Sequence, residues 1–155
     1  MSSPEIDQPA PDFNLPATGE QTIRLEDLAG KHVVLFFYPR DATPGCTTES
    51  QNFRDSIADF DKASTVVLGI SQDSIESHEK FKSGQAMPFE LLSDEDGTVC
   101  KAYDVIKLKK MYGKEFLGIE RSTFLIDSTG ILRKSWRKVK VPGHVDEVLN
   151  AVQDL

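Results

Sequence analysis

Phe36-Phe37-Tyr38-Pro39-Arg40-Asp41-Ala42-Thr43-Pro44-Gly45-Cys46-Thr47-Thr48-Glu49 sets a single cysteine where an apolar run turns into a helix. Residues 33–38 are continuously apolar, the mark of a central strand buried on both faces. Thr43-Pro44 reads as an N-cap followed by a first helical residue. The threonine hydroxyl can hold an orphan N–H there, and proline's missing donor and fixed φ suit the next position. Cys46 then falls at the third helical position, where a capping box carries glutamate. The free N–H groups favour negative charge at that point, and cysteines in such settings ionise below the free-thiol pKa of about 8.5. Read purely as structure, the turn is ordinary and Cys46 a small apolar filler. A structural turn, however, has no use for a thiol beside Gly45, whose missing side chain lets another group approach the backbone.

Outward from this unit the hydrophobic period alternates between strand and helix. Residues 13–15 and 22–25 are short strands around the Thr18-Gly19-Glu20 turn, and Asp27-Leu28-Ala29-Gly30 closes that unit. The helix after Thr43 places Phe53, Ile57 and Phe60 on one face. Residues 66–71 form a second buried strand. Asp73 with Glu76 opens a helix in capping-box spacing that runs to about Ser83. A strand at 89–92 and a brief helix through Cys100 and Tyr103 follow. Residues 121–127 and 131–136 flank Ser128-Thr129-Gly130 as a hairpin, and a last helix carries Val145, Val148, Leu149 and Val152 on one stripe. Periodicity alone therefore gives an α/β sandwich.

The chain has 155 residues, one domain's worth with a core large enough to need no disulfide scaffold. Its 39% hydrophobic and 28% charged residues fit neither a disordered nor a membrane protein. The longest apolar run is too short to span a bilayer. The start, Met1-Ser2-Ser3-Pro4-Glu5, lacks the basic and apolar regions of a signal peptide, so a cytoplasmic location is expected. A net charge of −7 disfavours nucleic acid and anionic membranes as partners. Lys107, Lys109, Lys110, Arg133, Lys134, Arg137, Lys138 and Lys140 concentrate positive charge and read as a solvated face. The cysteine and histidine spacing suggests no zinc site; His32, His78 and His144 read as ordinary surface residues.

Pro39, Thr43 and Cys46 stand in a Pro-x-x-x-Thr-x-x-Cys arrangement that resembles the peroxidatic site of the peroxiredoxins. The longer Thr-Pro-Gly-Cys-Thr-x-Glu form, with Phe-Tyr-Pro before it and Phe53-Arg54-Asp55 after it, is similar to the bacterioferritin comigratory protein branch, also called PrxQ. Pro11-Asp12-Phe13-Asn14-Leu15-Pro16, Val67-Leu68-Gly69-Ile70-Ser71, Leu91-Leu92-Ser93-Asp94-Glu95 and Arg121-Ser122-Thr123-Phe124-Leu125-Ile126-Asp127 extend the resemblance over nearly the whole chain. It implies a single thioredoxin-like domain over residues 1–155, a central mixed β-sheet flanked by helices, with an N-terminal β-hairpin extension and an inserted segment before the later hairpin. It also implies a peroxidase that needs no cofactor or metal. Cys46 is the nucleophile, oxidised by hydrogen peroxide or organic hydroperoxides to a sulfenic acid. The Thr43 hydroxyl, the N–H groups around Gly45 and Cys46, and Arg121 are the donors to the reacting oxygens. Pro39 shields the sulfur, and Glu49 orients the arginine or complements the helix terminus. Thioredoxin, or glutaredoxin with glutathione, is the implied reductant, acting on a monomer, with a weak dimer as the alternative.

The second cysteine departs from the family pattern. The position five after Cys46 is Gln51, and residues 76–83 of the next helix hold no cysteine. Cys100 lies in an apolar pattern with Val99 and Tyr103 and reads as a packed structural thiol, so an outside thiol would reduce the sulfenate; a resolving Cys46–Cys100 disulfide is the alternative. A thioredoxin-like disulfide oxidoreductase would need a Cys-x-x-Cys pair, which Cys46-Thr47-Thr48-Glu49 lacks. A glutathione-peroxidase-like enzyme would carry a Trp-Asn-Phe segment, which is missing. A redox sensor that uses Cys46 oxidation only as a signal is the non-enzymatic reading.

Overall fold

The computed structural model describes residues 3–155. Its centre is the strand expected from the apolar run, β3 (His32–Phe37), with only His32 less than fully buried. β4 (Thr65–Ser71) lies parallel to it on one side, and β8 (Ser122–Ile126) antiparallel on the other. Around these, β1 (Asn14–Ala17), β2 (Gln21–Arg24), β5 (Glu90–Ser93) and β9 (Leu132–Trp136) complete a sheet in the order β2-β1-β5-β4-β3-β8-β9. β1 and β2 pair as the expected N-terminal hairpin.

Alternation along β3 divides the core. Leu35 and Phe37 face a cluster with Ile70, Phe124, Tyr103 and Cys100, whereas Val34, Phe36 and Tyr38 face one with Cys46, Phe53, Phe60 and Val148. Successive side chains of a strand point to opposite faces, so the sheet stands between the two cysteines. The second face is covered by α1 (Pro44–Asp55), α2 (Ile57–Lys62), α3 (Ile75–Gly84) and α5 (His144–Gln153). α4 (Thr98–Ala102) brings Val99 and Cys100 to the first. This is the mixed, helix-flanked sheet of a thioredoxin-like fold.

Several local expectations need correction. The helix after Thr43 is broken at Ser56, yet Phe53 and Phe60 still meet across the break at 5.8 Å between ring centroids. The cap of α3 is Ser74, whose side chain accepts from Ser77 N; Asp73 instead accepts from the backbone of Asp41. The inserted segment is a hairpin of β6 (Ile106–Met111) and β7 (Lys114–Ile119) joined by Tyr112-Gly113, both at positive φ. That turn geometry matches strand twist but is usually built with Asn-Gly, which hid it.

The basic residues are not simply a solvated face either. Arg137 donates to the backbone oxygens of Asp104 and Tyr103 and lies over the Phe124 ring. His78 and His144 are buried rather than at the surface. His144 shares a hydrogen bond with the Thr123 hydroxyl, and burial lowers its pKa to about 4, so its ring is neutral near pH 7.

Candidate active site

β3 delivers the chain to the site, and the turn that follows is held from three sides. Pro39 and Arg40 are exposed, and Ala42 takes a left-handed φ of 62° that turns the backbone toward α1. Such a conformation is uncommon for a residue with a Cβ and needs surrounding support. Asp41 supplies it. Its N–H donates to Asp73 at 2.9 Å, while its carboxylate accepts from Tyr38 at 2.6 Å and Ser77 at 2.8 Å. His78 Nδ1 lies 2.7 Å from the same carboxylate and Nε2 lies 2.9 Å from Leu92 O. Each ring nitrogen thus faces an oxygen. Burial opposes the Asp41 charge, but the hydrogen bonds from His78 and Tyr38 outweigh it and hold the carboxyl below its ordinary value.

Thr43 is the N-cap of α1, with Pro44 and Gly45 between it and Cys46. The helix geometry matches the sequence reading, but the cap hydroxyl does not: Thr43 Oγ1 donates to Arg40 O at 3.0 Å and accepts nothing from the helix. Its oxygen lone pairs stay available. The N–H groups of Gly45 and Cys46 belong to the first turn, where no i−4 carbonyl exists to take them. Cys46 is buried on the inner side of that turn, 1% exposed.

Arg121 reaches it through sheet pairing. Ser122 stands opposite Phe37, so the residue before β8 lies beside the end of β3. Its guanidinium bridges two groups of α1, with Nη2 3.3 Å from Cys46 Sγ and Nη1 2.7 Å from Glu49 Oε1. A Cβ on Gly45 would come within 3.1 Å of Nη2, so glycine is what leaves room for the bridge. Burial works against the Arg121 charge, but Glu49 and the Cys46 sulfur prevail and raise its pKa.

Glu49 is fully buried. Burial pushes its carboxyl up to about 7, against the pull of Arg121, and its Oε2 has no hydrogen-bond partner. The structure therefore brings Cys46, Gly45, Glu49 and Arg121 into one connected cluster, with Thr43 a turn away and Pro39 at the exposed rim. Cys100 is not among them. It lies across the sheet, fully buried, with its N–H on Asp94, and burial followed by the Asp94 carboxyl drives its thiol pKa far up.

Sequence reasoning missed the Asp41–His78–Tyr38 network. The signal was there: His78 and Phe81 are three apart, the spacing of one helix face, and both are buried. Asp41, Asp73 and His78 also bring ligand-type atoms within 4.8 Å of one another. A metal ion there would have to take His78 from Asp41 or Leu92.

The sheet, the capped cysteine and its arginine define a recognisable class. The chain belongs to the AhpC/TSA family, which matches residues 6–135. Peroxiredoxin Bcp of Bacillus subtilis is 52% identical over 151 residues, covering 97% of this chain and 96% of its own. Peroxiredoxin Bcp of Escherichia coli K12 is 39% identical over 94% of this chain and 93% of its own. Among solved structures, the bacterioferritin comigratory protein of Xanthomonas campestris superposes with a TM-score of 0.88 at 48% identity, over 92% of this chain and 90% of its own. That protein is described with alkyl peroxide reduction activity. A cysteine-to-serine mutant of Xylella fastidiosa PrxQ gives a TM-score of 0.93 at 42% identity, over 99% and 98% of the two chains.

Proposed function

We propose that this chain is a thiol-dependent peroxidase that reduces hydrogen peroxide and organic hydroperoxides through a sulfenic acid on Cys46. The observation that carries the reading is the Arg121 bridge, one nitrogen on the Cys46 sulfur and the other on Glu49. The guanidinium donates to the sulfur, and the thiolate is the nucleophilic form of a cysteine. Attack on the nearer peroxide oxygen forms an S–O bond, breaks the O–O bond and sends its electron pair to the departing oxygen. Arg121 and the N–H groups of Gly45 and Cys46 are fixed donors for that developing charge. The Thr43 hydroxyl spends its proton on Arg40 O, so its role is to accept the peroxide O–H and align the bond. Pro39 borders the entrance. The products are an alcohol or water and Cys46 sulfenic acid.

The position of Cys100 supports a one-cysteine cycle. A disulfide requires Cα atoms within about 7 Å, and Cys46 and Cys100 belong to core clusters on opposite faces of the sheet. An external thiol therefore restores Cys46, with thioredoxin as the reductant and a cytoplasmic monomer of one domain as the working form. Among the described residues no helix is long and apolar enough to cross a membrane.

Peroxide consumption driven in turn by dithiothreitol, thioredoxin and glutathione–glutaredoxin tests the reading and separates a catalyst from a sensor, which would oxidise once without turnover. Cys46→Ser is expected to abolish consumption, whereas Cys100→Ser keeps the first oxidation. Full activity in Cys46→Ser would remove the assignment. After one equivalent of peroxide without reductant, mass spectrometry should find a trappable sulfenic acid on Cys46 and a free Cys100; a two-hydrogen loss within the monomer would overturn the one-cysteine cycle.

A further inference from the structure

The hairpin of β6 and β7 is a two-stranded sheet of its own, separate from the seven-stranded one. Its root is fixed: Val105 and Ile119 are buried in the core, and the Glu120 N–H donates to Val105 O at 2.7 Å. Beyond that root, exposed apolar side chains occur on both faces. Leu108 and Leu117 pair on one, Met111 and Phe116 lie on the other, and Tyr112 at the tip is 97% exposed. Elsewhere among the described residues, the exposed large apolar side chains are Ile6 and Leu155, near the ends of the chain. Cations surround the finger. Lys107, Lys109, Lys110 and Lys114 lie on its strands, with Glu115 the one acidic residue there. A second basic segment is tied to the root: Arg137 donates to the Tyr103 and Asp104 carbonyls, and the Val139 N–H donates to Arg121 O at 3.0 Å. These bonds hold the exposed Lys138 and Lys140 beside the base of the hairpin. Lys107 pairs with Asp104 and Lys110 with Glu115, which leaves Lys109, Lys114, Lys138 and Lys140 without an ion pair among the described residues.

We infer that this finger docks on an anionic lipid surface. Charge complementarity calls for an acidic partner, and the geometry selects lipid over protein. A protein would cover one face of the hairpin and leave the apolar side chains of the other in water. A layer of headgroups and upper acyl chains surrounds a narrow finger on both faces at once. Tyrosine suits that depth, with its ring among the chains and its hydroxyl in water, and lysine stems lie along apolar surface while their ammonium groups reach the phosphates. The outer backbone edges of the two strands are unpaired, which keeps the finger at headgroup level and out of the hydrocarbon. The net charge of −7 argues against such a surface only at a distance. Within a Debye length of about 10 Å the nearest charges decide, and those are lysines. The acidic remainder of the chain is repelled by the same surface, so the finger points in and the body out. Arg121, in contact with Cys46, follows the root by two residues, so the reactive sulfur stays near the base of the finger and not at its immersed tip.

Co-sedimentation of the reduced, full-length chain with vesicles tests the inference. At low ionic strength, vesicles of phosphatidylcholine with about one-third phosphatidylglycerol should bind the wild type at least about tenfold better than phosphatidylcholine alone, and high salt should release it. Lys109→Gln combined with Lys114→Gln should weaken binding on the order of twentyfold, at about fivefold per lysine. Lys62→Gln combined with Lys80→Gln makes the same charge change at exposed sites elsewhere and should weaken it about twofold at most. Tyr112→Ser combined with Leu117→Ser keeps every charge but removes apolar surface, and should cost about tenfold. Equal binding to neutral and anionic vesicles, equal losses in the two lysine pairs, or undiminished binding by the Tyr112→Ser, Leu117→Ser variant would each overturn the inference. Retention of the wild type on a polyglutamate column without binding to the anionic vesicles would overturn it too, and would assign the surface to an acidic protein.

Discussion

Glu49→Gln should uncouple stability from pH in a direction opposite to most carboxylates. Moving a carboxyl from its ordinary 4.5 to about 7 penalises the charged form by about 3 kcal/mol, at roughly 1.4 kcal/mol per pH unit. The cause is burial, which the Arg121 contact offsets only in part. The folded state therefore holds this proton more tightly than the unfolded chain. Below pH 4.5 the residue is neutral in both states and carries no penalty. As pH rises from 4.5 toward 7 the unfolded chain ionises first, folding loses up to about 3 kcal/mol, and above 7 the loss levels off. Glutamine keeps the shape and an acceptor for Arg121 but cannot ionise. Urea unfolding of wild type and variant under reducing conditions, from pH 4 to pH 8.5, isolates the effect, because every other titrating group is common to both. The variant's advantage over wild type should grow by about 3 kcal/mol between pH 4.5 and pH 8, while its peroxide rate falls because Arg121 has lost its anionic partner. Parallel stability profiles would refute the assignment of a buried, neutral-range carboxyl at position 49.

Gly45→Ala should lower the second-order rate with hydrogen peroxide about tenfold, because its Cβ displaces Nη2 of Arg121 from a 3.1 Å approach; an unchanged rate in stopped flow would mean that the bridge tolerates movement. Asp41→Ala leaves the buried Tyr38, Ser77 and His78 groups without the carboxylate they share and should cost about 3 kcal/mol, a melting temperature on the order of 10 °C lower by calorimetry; a drop of a degree or two would refute the network's part in holding the turn. Phe116→Ala should slow cumene hydroperoxide about threefold and leave hydrogen peroxide untouched, since the exposed ring, on the strand that leads into Arg121, offers apolar surface to a bulky substrate. Equal effects on both substrates in the peroxidase assay would assign Phe116 to packing.

What could be read in advance depended on whether the signal was local. The apolar run, Thr43, Pro44 and the position of Cys46 all lie in one short segment, and the strand, turn and helix came out where their spacing put them. The approach of Arg121 to Cys46 depends on β8 lying antiparallel to β3, a pairing between segments far apart in sequence that no period encodes. Only the family resemblance suggested it. His78 looked like a surface residue because its partners, Asp41 and the Leu92 carbonyl, come from two other parts of the chain. The break at Ser56 was invisible for the reverse reason. The apolar stripe of Phe53, Ile57 and Phe60 continues across it, so the periodicity carries no trace of the interruption.

With the sheet standing between them, the two thiols keep different clocks. Cys46 lies in the first turn of a helix beside an exposed turn, so a small alkylating reagent needs only a local opening there. Cys100 sits in a fully buried cluster behind the central strands, and a reagent reaches it only when that half of the molecule comes apart. Alkylating Cys46 first and then timing the uptake of a second label turns Cys100 into an internal gauge of cooperative opening. That gauge needs no engineered probe, and it would measure in native buffer how often the whole scaffold behind the reactive sulfur lets go.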